Sequence, residues 1–381
     1  MRRYGWGLVS RDRELTLGKK IRLAIVGAGN CASSLVQGIG HYSSSNDRRG
    51  MITPVIGGYG PEDVEVVAAF DVVDGKVGAP LAQALQSWPN ETLEFGRMAD
   101  SAYTTIVSRG PTLDGLGRYL REVVEESGEP VADVAQVLRD SGATVLVSYL
   151  PVGSDRAAEY YADACLQAGV AMVNCMPAFI ASRPEWADRF RAAGVPIVGD
   201  DIKSQVGATI VHRVLAQLLH DRGVELKRTY QLNVGGNTDF LNMLERERLK
   251  SKKISKTRAV TSVMGVELPE TDVHVGPSDH VPWLTDRKFA FIRLEAEAFG
   301  GAPLNIELKL EVWDSPNSAG VVLDALRIAQ LARDAGVSGP VETACAWYMK
   351  SPPVQMTDDA ALLALRQDVD AMAAAAGHLG F

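Results

Sequence analysis

A short apolar segment that runs directly into a glycine-rich turn constrains the fold of this chain more than any other feature. Residues 21–26 read Ile-Arg-Leu-Ala-Ile-Val and are followed by Gly27-Ala-Gly29-Asn-Cys-Ala32, after which residues 33–39 have helical spacing. A mostly apolar run of this length is typical of a central parallel strand that is buried on both faces. The order of strand, glycine turn and helix therefore predicts the first unit of a doubly wound α/β sheet.

The small residues of this turn have the spacing of a dinucleotide-binding loop. Gly27 permits a tight turn, Gly29 lets the backbone approach a pyrophosphate, and Ala32 lets the helix lie close to the strand. The N-terminus of the helix then favours the anion. We predict that these three residues, with Asn30 and Cys31 between them, bind the cofactor.

A second buried strand is predicted at residues 64–71 and ends on an acid, Asp71. A carboxylate at this place binds ribose hydroxyls and repels a 2′-phosphate, which favours NAD over NADP. In the usual pattern the acid follows the turn by about 20 residues, whereas Asp71 lies 42 residues beyond Gly29. We therefore interpret the polar, Gly-rich residues 43–60 as an insertion. The alternative is that Asp71 is only a polar strand end.

Strands and helices continue to alternate along the first half of the chain. The predicted helices cover residues 117–127, 131–140, 154–168 and 184–193, and the predicted strands cover residues 144–149, 171–174 and 196–199. Such alternation predicts a parallel sheet with helices on both faces.

From about residue 200 the pattern changes to that of an α+β region. A long helix is predicted at residues 206–222 and a highly charged helix near 239–249, with strands at 227–234, 258–266, 289–299 and 304–313. Amphipathic helices are predicted at residues 317–334 and 358–376. The predicted fold class is α/β, with a Rossmann-type doubly wound domain made of residues 21–200 and 311–381. Residues 201–310 form an inserted α+β catalytic and oligomerisation domain, and residues 1–20 form an extension.

Composition excludes several classes of partner. Lys and Arg number 39 against 47 Asp and Glu, so the net charge of −8 offers no global attraction to nucleic acid or to an anionic membrane. The four cysteines are scattered, without metal-ligand spacing, which favours a reducing compartment. Neither a signal peptide nor an apolar run of membrane-spanning length is found. We expect a cytoplasmic protein.

One short segment departs sharply from this acidic background. Residues 250–256 read Lys-Ser-Lys-Lys-Ile-Ser-Lys. Crowded ammonium groups lower one another's pKa, and together they can bind phosphate and exchange protons. A solvated basic face is the alternative for any charge run. Three further lysines in unusual sequence contexts favour a functional site over a solvated face. They are Lys203, Lys288 and Lys350.

Five motifs in fixed order resemble those of the myo-inositol-phosphate synthase family, in its shorter bacterial form. They are Asp200-Asp-Ile-Lys-Ser-Gln, Asn233-Val-Gly-Gly-Asn-Thr-Asp-Phe-Leu-Asn, Ser251-Lys-Lys-Ile-Ser-Lys, Trp313-Asp-Ser-Pro-Asn-Ser-Ala-Gly and Lys350-Ser-Pro-Pro. The similarity covers residues 21–353. It implies an NAD-dependent isomerase and a homotetramer. In the implied reaction NAD⁺ oxidises C5 of glucose 6-phosphate, C6 loses a proton, C6 attacks C1, and NADH reduces C5 to give 1D-myo-inositol 3-phosphate.

The resemblance also implies roles for single residues. Lys252 and Lys256 would hold the phosphate and stabilise the enolate or aldol oxyanion. Lys288, partnered by Asp286, would exchange the proton of the C5 oxygen, and Lys350 would polarise the C1 carbonyl. Catalytic neighbours would be Asp200, Lys203 and Asp239; substrate-binding residues Asn237, Thr238, Asn242 and Ser251; and further cofactor-binding residues Ser148, Asp200, Asp314 and Ser315. A monovalent or divalent cation is compatible with the resemblance, but no ligands for it are assigned.

Two departures from the family pattern keep alternative functions open. Thr238 occupies a position where the members compared carry Met or Asn, and Cys175-Met176 forms an unusual strand end. The alternative is a paralogue that cyclises fructose 6-phosphate to a five-membered cyclitol phosphate in secondary metabolism. An ordinary NAD dehydrogenase, which would accumulate NADH, and a non-catalytic NAD-binding regulator explain the lysines less well.

Overall fold

A computed structural model of the protein describes residues 20–95, 103–249 and 268–378. Most of the predicted N-terminal extension, the predicted strand at 258–266 and the end of the chain lie outside the described residues. So do three predicted site residues, Ser251, Lys252 and Lys256.

The strands of the described chain are β1 (Ile21–Val26), β2 (Val64–Asp71), β3 (Val107–Arg109), β4 (Val145–Ser148), β5 (Ala171–Asn174), β6 (Pro196–Gly199), β7 (Glu225–Gly235), β8 (Val273–His280), β9 (Arg287–Glu297), β10 (Pro303–Trp313) and β11 (Gly339–Pro340). The α-helices are α1 (Asn30–Ser44), α2 (Leu81–Gln86), α3 (Val134–Asp140), α4 (Asp155–Ala168), α5 (Pro184–Ala193), α6 (Ala208–Asp221), α7 (Thr238–Asn242), α8 (Asp314–Asp334), α9 (Glu342–Tyr348) and α10 (Asp358–Ala376).

Seven strands form one parallel sheet in the order β11-β6-β5-β4-β1-β2-β3. Alternate residues of β1 pack into different apolar clusters. Leu23 and Ile25 contact the cluster that includes α1 and α8, whereas Ala24 and Val26 contact the cluster that includes α3 and α4. The sheet is therefore covered on both faces, and the predicted doubly wound α/β class is confirmed.

The remaining strands form a four-stranded sheet in the order β10-β9-β7-β8. Strand β9 is antiparallel to both β7 and β10, and β8 runs parallel to β7. Helix α6 packs on one face through Ala216 and Leu219, against Ile292 and Leu294 of β9. The predicted strands at 227–234, 289–299 and 304–313 are confirmed with shifted ends. The division into domains at residues 200 and 311 stays a prediction.

The helix predicted at residues 117–127 is wrong. Only a 3-10 turn, Leu120–Glu122, forms there, and Glu126 makes an isolated bridge with Val73. Gly117 has φ +78°, which an α-helix does not allow. Leu116, Leu120 and Val124 all line the central cavity. Their spacing of four residues, which is also that of a helix face, here belongs to side chains that line a cavity.

The long charged helix predicted near residues 239–249 is also wrong. Helix α7 ends at Asn242, and a 3-10 turn covers Arg246–Leu249. The guanidinium of Arg248 donates to the backbone carbonyls of Val152, Asp114, Gly115 and Gly153. Arg248 thus contacts neighbouring loops, instead of extending into solvent from a charged helix.

Helix α8 begins three residues before the predicted start and is buried on nearly all sides, so its predicted amphipathic character is wrong. It packs between α1 and the sheet. Its interior charges are satisfied within the core, since Arg327 pairs with Asp324 and donates to the carbonyls of Thr53 and Pro54. This guanidinium fixes the segment between α1 and β2 against the core.

The chain ends by returning to the parallel sheet. Strand β11 pairs with β6, and α10 has the predicted bounds, with Ala361, Leu365, Val369 and Met372 buried along one face. Across the described ranges, no helix combines the length and the apolar character needed to cross a bilayer.

Candidate active site

A cavity of about 290 Å³ opens at the carboxyl ends of the parallel strands. It extends from the glycine turn after β1 to the end of β7 and the start of β9 in the second sheet. Its wall includes Gly27, Gly29, Asn30, Cys31, Asp71, Lys76, Asp201, Asn237, Thr238, Asp239, Lys288, Asp314, Ser315 and Lys350. The crevice at the carboxyl ends of such strands is where α/β folds of this type bind ligands.

The two glycines of the turn have different physical reasons to be glycine. Gly27 has φ +88°, and a Cβ there would lie 2.8 Å from the carbonyl oxygen of Tyr149. A Cβ at Gly29 would meet no atom within 4 Å, because it would project into open space. The backbone of α1 begins directly after Gly29. An anion such as a pyrophosphate can therefore approach the turn and the helix N-terminus, and the turn fits a dinucleotide.

The Asp71 carboxylate lies against this turn. One oxygen accepts from the Ala28 N–H at 2.7 Å, and the other accepts from the N–H groups of Val72 at 2.7 Å and Val73 at 3.0 Å. Asp71 also lines the cavity. The structure thus brings the acid at the end of β2 to the glycine turn in spite of the long connection between them.

Lys76 is a cavity residue that the sequence analysis missed. Lys76 is 2% exposed as a residue, and its ammonium donates to the Ala28 carbonyl at 2.8 Å and to Oδ1 of Asn90 at 2.9 Å. Burial lowers the pKa of Lys76, and the nearby Asp71 carboxylate partly opposes this. No motif marks this lysine in the sequence, since its contacts depend on how residues 76 and 90 return to the turn.

Lys288 forms an ion pair inside the cavity with Asp314. Its Nζ lies 2.8 Å from Oδ1 of Asp314, so the expected partnership with Asp286 is not observed. Burial acts to lower the pKa of Lys288, but Asp314, Asp239 and Asp201 outweigh it and raise the pKa. Lys288 is therefore held as a cation. The lowered pKa values predicted for residues 250–256 fall outside the described residues.

Lys350 forms a second ion pair on the cavity wall. Its Nζ lies 2.7 Å from Oδ1 of Asp201. Asp201 is another residue that the sequence analysis missed, because the neighbouring Asp200 was chosen from the same motif. The two acids differ in what their side chains reach, and only Asp201 lies on the cavity wall.

The Asp200 carboxylate is buried away from the cavity. It accepts from Nδ2 of Asn174 at 2.8 Å, from the N–H groups of Ile180, Ala181 and Ser182, and from the Ser182 hydroxyl. Burial raises the pKa of Asp200 to about 6, although these hydrogen bonds act to lower it. Its geometry is that of a carboxylate that organises residues 174–182.

Asp286 is likewise fully buried and joins three parts of the site. Its carboxylate accepts from Oγ1 of Thr92 at 2.8 Å, from Nδ2 of Asn237 at 2.8 Å, and from the hydroxyl of Ser315 at 2.8 Å and its N–H at 3.2 Å. Burial, followed by the charge of Asp314, raises the pKa of Asp286 to about 6 against the effect of these hydrogen bonds.

This raised pKa gives a pH-dependent stability. In the folded protein Asp286 is protonated below about pH 6. In the unfolded chain it stays ionised until the pH falls to its ordinary pKa of 3.8. The wild type therefore gains stability relative to Asp286→Asn as the pH falls from about 8 towards 4. We expect urea unfolding to show a deficit of the variant that grows as the pH is lowered. A deficit that is constant, or largest at pH 8, would contradict the raised pKa; exposed Asp359→Asn is the control.

Helix α7 brings a polar edge to the cavity. The side chain of Asn237 caps the helix by accepting from the N–H groups of Asp239 and Phe240, while Thr238 and Asp239 line the cavity. Asn242 does not line it. Its amide instead donates to the Val152 carbonyl at 2.9 Å.

The remaining predicted residues lie at varied distances from the cavity. Ser315 and Cys31 are neighbours on its wall, with Sγ and Oγ 3.7 Å apart. Ala32 and Ser148 are buried behind the wall. Lys203 is buried behind it as well, and its ammonium contacts Asp358 of α10. Within the described ranges, no cluster of three or more His, Cys, Asp or Glu side chains could hold a metal ion.

Comparison with known proteins identifies similar sequences along nearly the whole chain. The family profile described as Myo-inositol-1-phosphate synthase matches residues 207–315. Inositol-3-phosphate synthase of Mycobacterium tuberculosis is 58% identical over 351 residues, which cover 91% of this chain and 95% of that protein. Inositol-3-phosphate synthase of Corynebacterium glutamicum is 55% identical over 350 residues, which cover 90% and 96%.

A solved structure shares the same fold. The crystal structure of Ari2 has a TM-score of 0.74 and 36% sequence identity, and the match covers 93% of this chain and 100% of that one. The match therefore extends over most of this chain.

Proposed function

Because this chain belongs to the myo-inositol-1-phosphate synthase family and is an NAD-dependent isomerase, we propose that it cyclises D-glucose 6-phosphate to 1D-myo-inositol 3-phosphate. The observation that carries the proposal is the pairing of Lys288 with Asp314 and of Lys350 with Asp201 on the wall of one cavity. Such preorganised cations are suited to the negative oxygens that form during enolisation and aldol closure. Simple hydride transfer would need one acid or base only.

We assign the glycine turn to the cofactor. Gly27, Gly29 and the N-terminus of α1 would hold the pyrophosphate, and Asp71 would orient the adenosine ribose. Asp314 and Ser315, at the start of α8, would close the nicotinamide end. When bound, NAD supplies the reversible oxidation of one sugar carbon.

We assign Lys288 to the oxygen on C5. Its ammonium would stabilise negative charge on that oxygen as the C5 hydroxyl loses its proton. The 2.8 Å contact with Asp314 lets Lys288 pass one proton to the carboxylate as it accepts another from the sugar. The same two transfers run backwards when the C5 oxygen regains its proton, so no proton is gained or lost over the cycle.

We assign Lys350 to the carbonyl oxygen of C1. Its ammonium would polarise the carbonyl and give a proton to the alkoxide that forms as C6 bonds to C1. Asp201 holds the ammonium in place at 2.7 Å. The proton that leaves C6 during enolisation balances the one given to the C1 oxygen, so Lys350 is again an ammonium at the end of the cycle. In this assignment Asp201 takes the place that was predicted for Asp200.

The substrate's other groups would be held by two further sets of residues. Asn237, Thr238 and Asp239 would position sugar hydroxyls from the start of α7. Lys252 and Lys256 keep the phosphate and oxyanion roles that the family resemblance implies. Binding the phosphate fixes one end of an open sugar chain, which favours ring closure. The homotetramer and the cytoplasmic location remain predictions.

One specific feature favours keeping fructose 6-phosphate as the second candidate substrate. Thr238, Cys175 and Met176 all line the cavity. The positions that depart from the family pattern therefore lie where they would contact a substrate. A change there alters the pocket shape while it leaves the two lysine pairs in place.

The test is to incubate the enzyme with NAD⁺ and either sugar phosphate and to identify the product by NMR. We expect 1D-myo-inositol 3-phosphate from glucose 6-phosphate without net NADH. Cyclisation of fructose 6-phosphate alone would contradict the inositol assignment. Stoichiometric accumulation of NADH would contradict a redox-neutral cycle.

A further inference from the structure

Two backbone segments pair antiparallel next to the cavity and present Asp201 and Lys350 to it. The N–H of Lys350 donates to the Asp201 carbonyl at 2.7 Å, and the N–H of Lys203 donates to the Tyr348 carbonyl at 2.8 Å. Ile202 and Met349 form a bridge between these two bonds. The relative position of Asp201 and Lys350 therefore depends on how residues 200–203 are held against residues 348–351.

The side chain of Lys203 points away from the cavity, into a buried charge cluster. Its Nζ donates to the Ala346 carbonyl at 2.9 Å and contacts Oδ1 of Asp358 at 3.1 Å. Nε of Arg213 reaches the other oxygen of Asp358 at 3.2 Å, and its Nη2 donates to the Met356 carbonyl at 3.2 Å. The side chains of Lys203 and Arg213 are 4% and 1% exposed.

The Asp358 carboxylate holds this cluster together electrostatically. Two buried cations share it, and burial lowers the pKa of Lys203 to about 8, although Asp358 acts to raise it. Without the carboxylate, two buried like charges would remain, and the lysine would lose its proton or move towards water. Either outcome breaks the link between residue 203 and α10.

We propose that Asp358 is a positioning residue of the active site, which acts through Lys203 to hold residues 200–203, and with them Asp201, in register with Lys350. Helix α10 then stabilises the position of Lys350 from the side of the segment that faces away from the cavity. Lys203 is predicted from the sequence to be catalytic. In this proposal it instead connects α10 to the active site.

The variant that tests the proposal is Asp358→Asn, and Asp359→Asn is its matched control. Both positions lie in the first turn of α10, so both variants lose the same favourable interaction with the helix N-terminus. Asp359 is exposed, whereas Asp358 contacts both buried cations. The difference between the two variants therefore isolates the cluster.

The first measurement is hydrogen exchange by mass spectrometry on the NAD-bound protein. We expect Asp358→Asn to speed exchange in peptides covering residues 200–204 and 346–351, with no change in β1 or β4, because only local opening is favoured. This measurement does not depend on which sugar phosphate is the substrate. Unchanged exchange in these peptides, or faster exchange throughout the chain, would overturn the proposal.

The second measurement is turnover, and this arm rests on the proposed function. We expect Asp358→Asn to lower kcat by about 10-fold or more, with the Kd for NAD within about twofold of wild type, because small misplacement of a catalytic group is costly. Asp358→Glu should recover most of the loss, and Asp359→Asn should match wild type. Equal kcat values for Asp358→Asn and Asp359→Asn would overturn the proposal, whereas a wild type without turnover would contradict the proposed function alone.

Discussion

Replacing Lys288 with methionine is expected to lower kcat by about 1000-fold, because the variant loses both a preorganised cation and a proton carrier. The methionine side chain keeps much of the length of lysine, so the cavity wall should retain its shape. The Kd for NAD is expected to stay within about threefold of wild type, since the residues assigned to the pyrophosphate and ribose are untouched. The two values follow from product formation by NMR and from calorimetric titration with NAD⁺.

The control for this variant is Lys227→Met. Lys227 lies on β7 of the same sheet, and its ammonium pairs with Glu225 and Glu297 away from the cavity. Exposed pairs of this kind contribute little to stability, and Lys227 does not line the cavity, so kcat should be unchanged. A Lys288→Met enzyme that kept more than about a tenth of wild-type kcat would remove Lys288 from the chemistry.

The second large effect is expected at the glycine turn, where Gly29→Ala should weaken NAD binding by about 100-fold or more, because its methyl group would occupy the approach of the pyrophosphate. The same variant should lose only about 1 kcal/mol of unfolding free energy, the usual cost of placing alanine at an N-cap. The Cβ meets no atom of the protein within 4 Å. Gly29→Ala is thus expected to lower the affinity for NAD strongly while it changes the free energy of unfolding little.

Gly27→Ala provides the comparison, because it should destabilise the protein. An alanine at φ +88° is strained, and its Cβ would lie 2.8 Å from the Tyr149 carbonyl oxygen. The left-handed conformation alone costs about 1 to 2 kcal/mol, so urea unfolding should show a clear loss. If Gly29→Ala lost stability as Gly27→Ala does, or bound NAD normally, the assignment of this turn to the cofactor would be contradicted.

The sequence predicts the parallel sheet well because the signals for it are local. The apolar run of β1, the glycines after it and the helical spacing of α1 lie within a few residues of one another, and the structure gives β5, β6 and α5 the predicted bounds. Helix spacing is less informative where a cavity is near. Leu116, Leu120 and Val124 have the spacing of a helix face, but they are apolar because they line the cavity.

The sequence predicts which residues belong to the candidate site better than it predicts which of them contact one another. Lys288, Lys350 and Asp314 come from recognisable motifs, and all three line the cavity. The sequence alone does not tell which of Asp200 and Asp201 lines the cavity, because adjacent side chains of an irregular segment point in different directions. The pairing of Asp201 with Lys350 joins residues 149 positions apart, and no local pattern contains it.

The late position of α8 and β11 in the chain has a consequence for synthesis on the ribosome. The parallel sheet begins with residues near the N-terminus, but one of its faces is covered by α8, which ends at Asp334. In the part of the chain that the structure describes, its β6 edge is paired by Gly339–Pro340. A nascent chain that has already formed β1 to β6 therefore exposes an apolar sheet face and an unpaired edge until these last segments emerge. Exposed apolar faces and open edges are sites of aggregation. The long interval between the two halves of one core thus leaves the nascent chain open to aggregation until residues 314–340 have emerged.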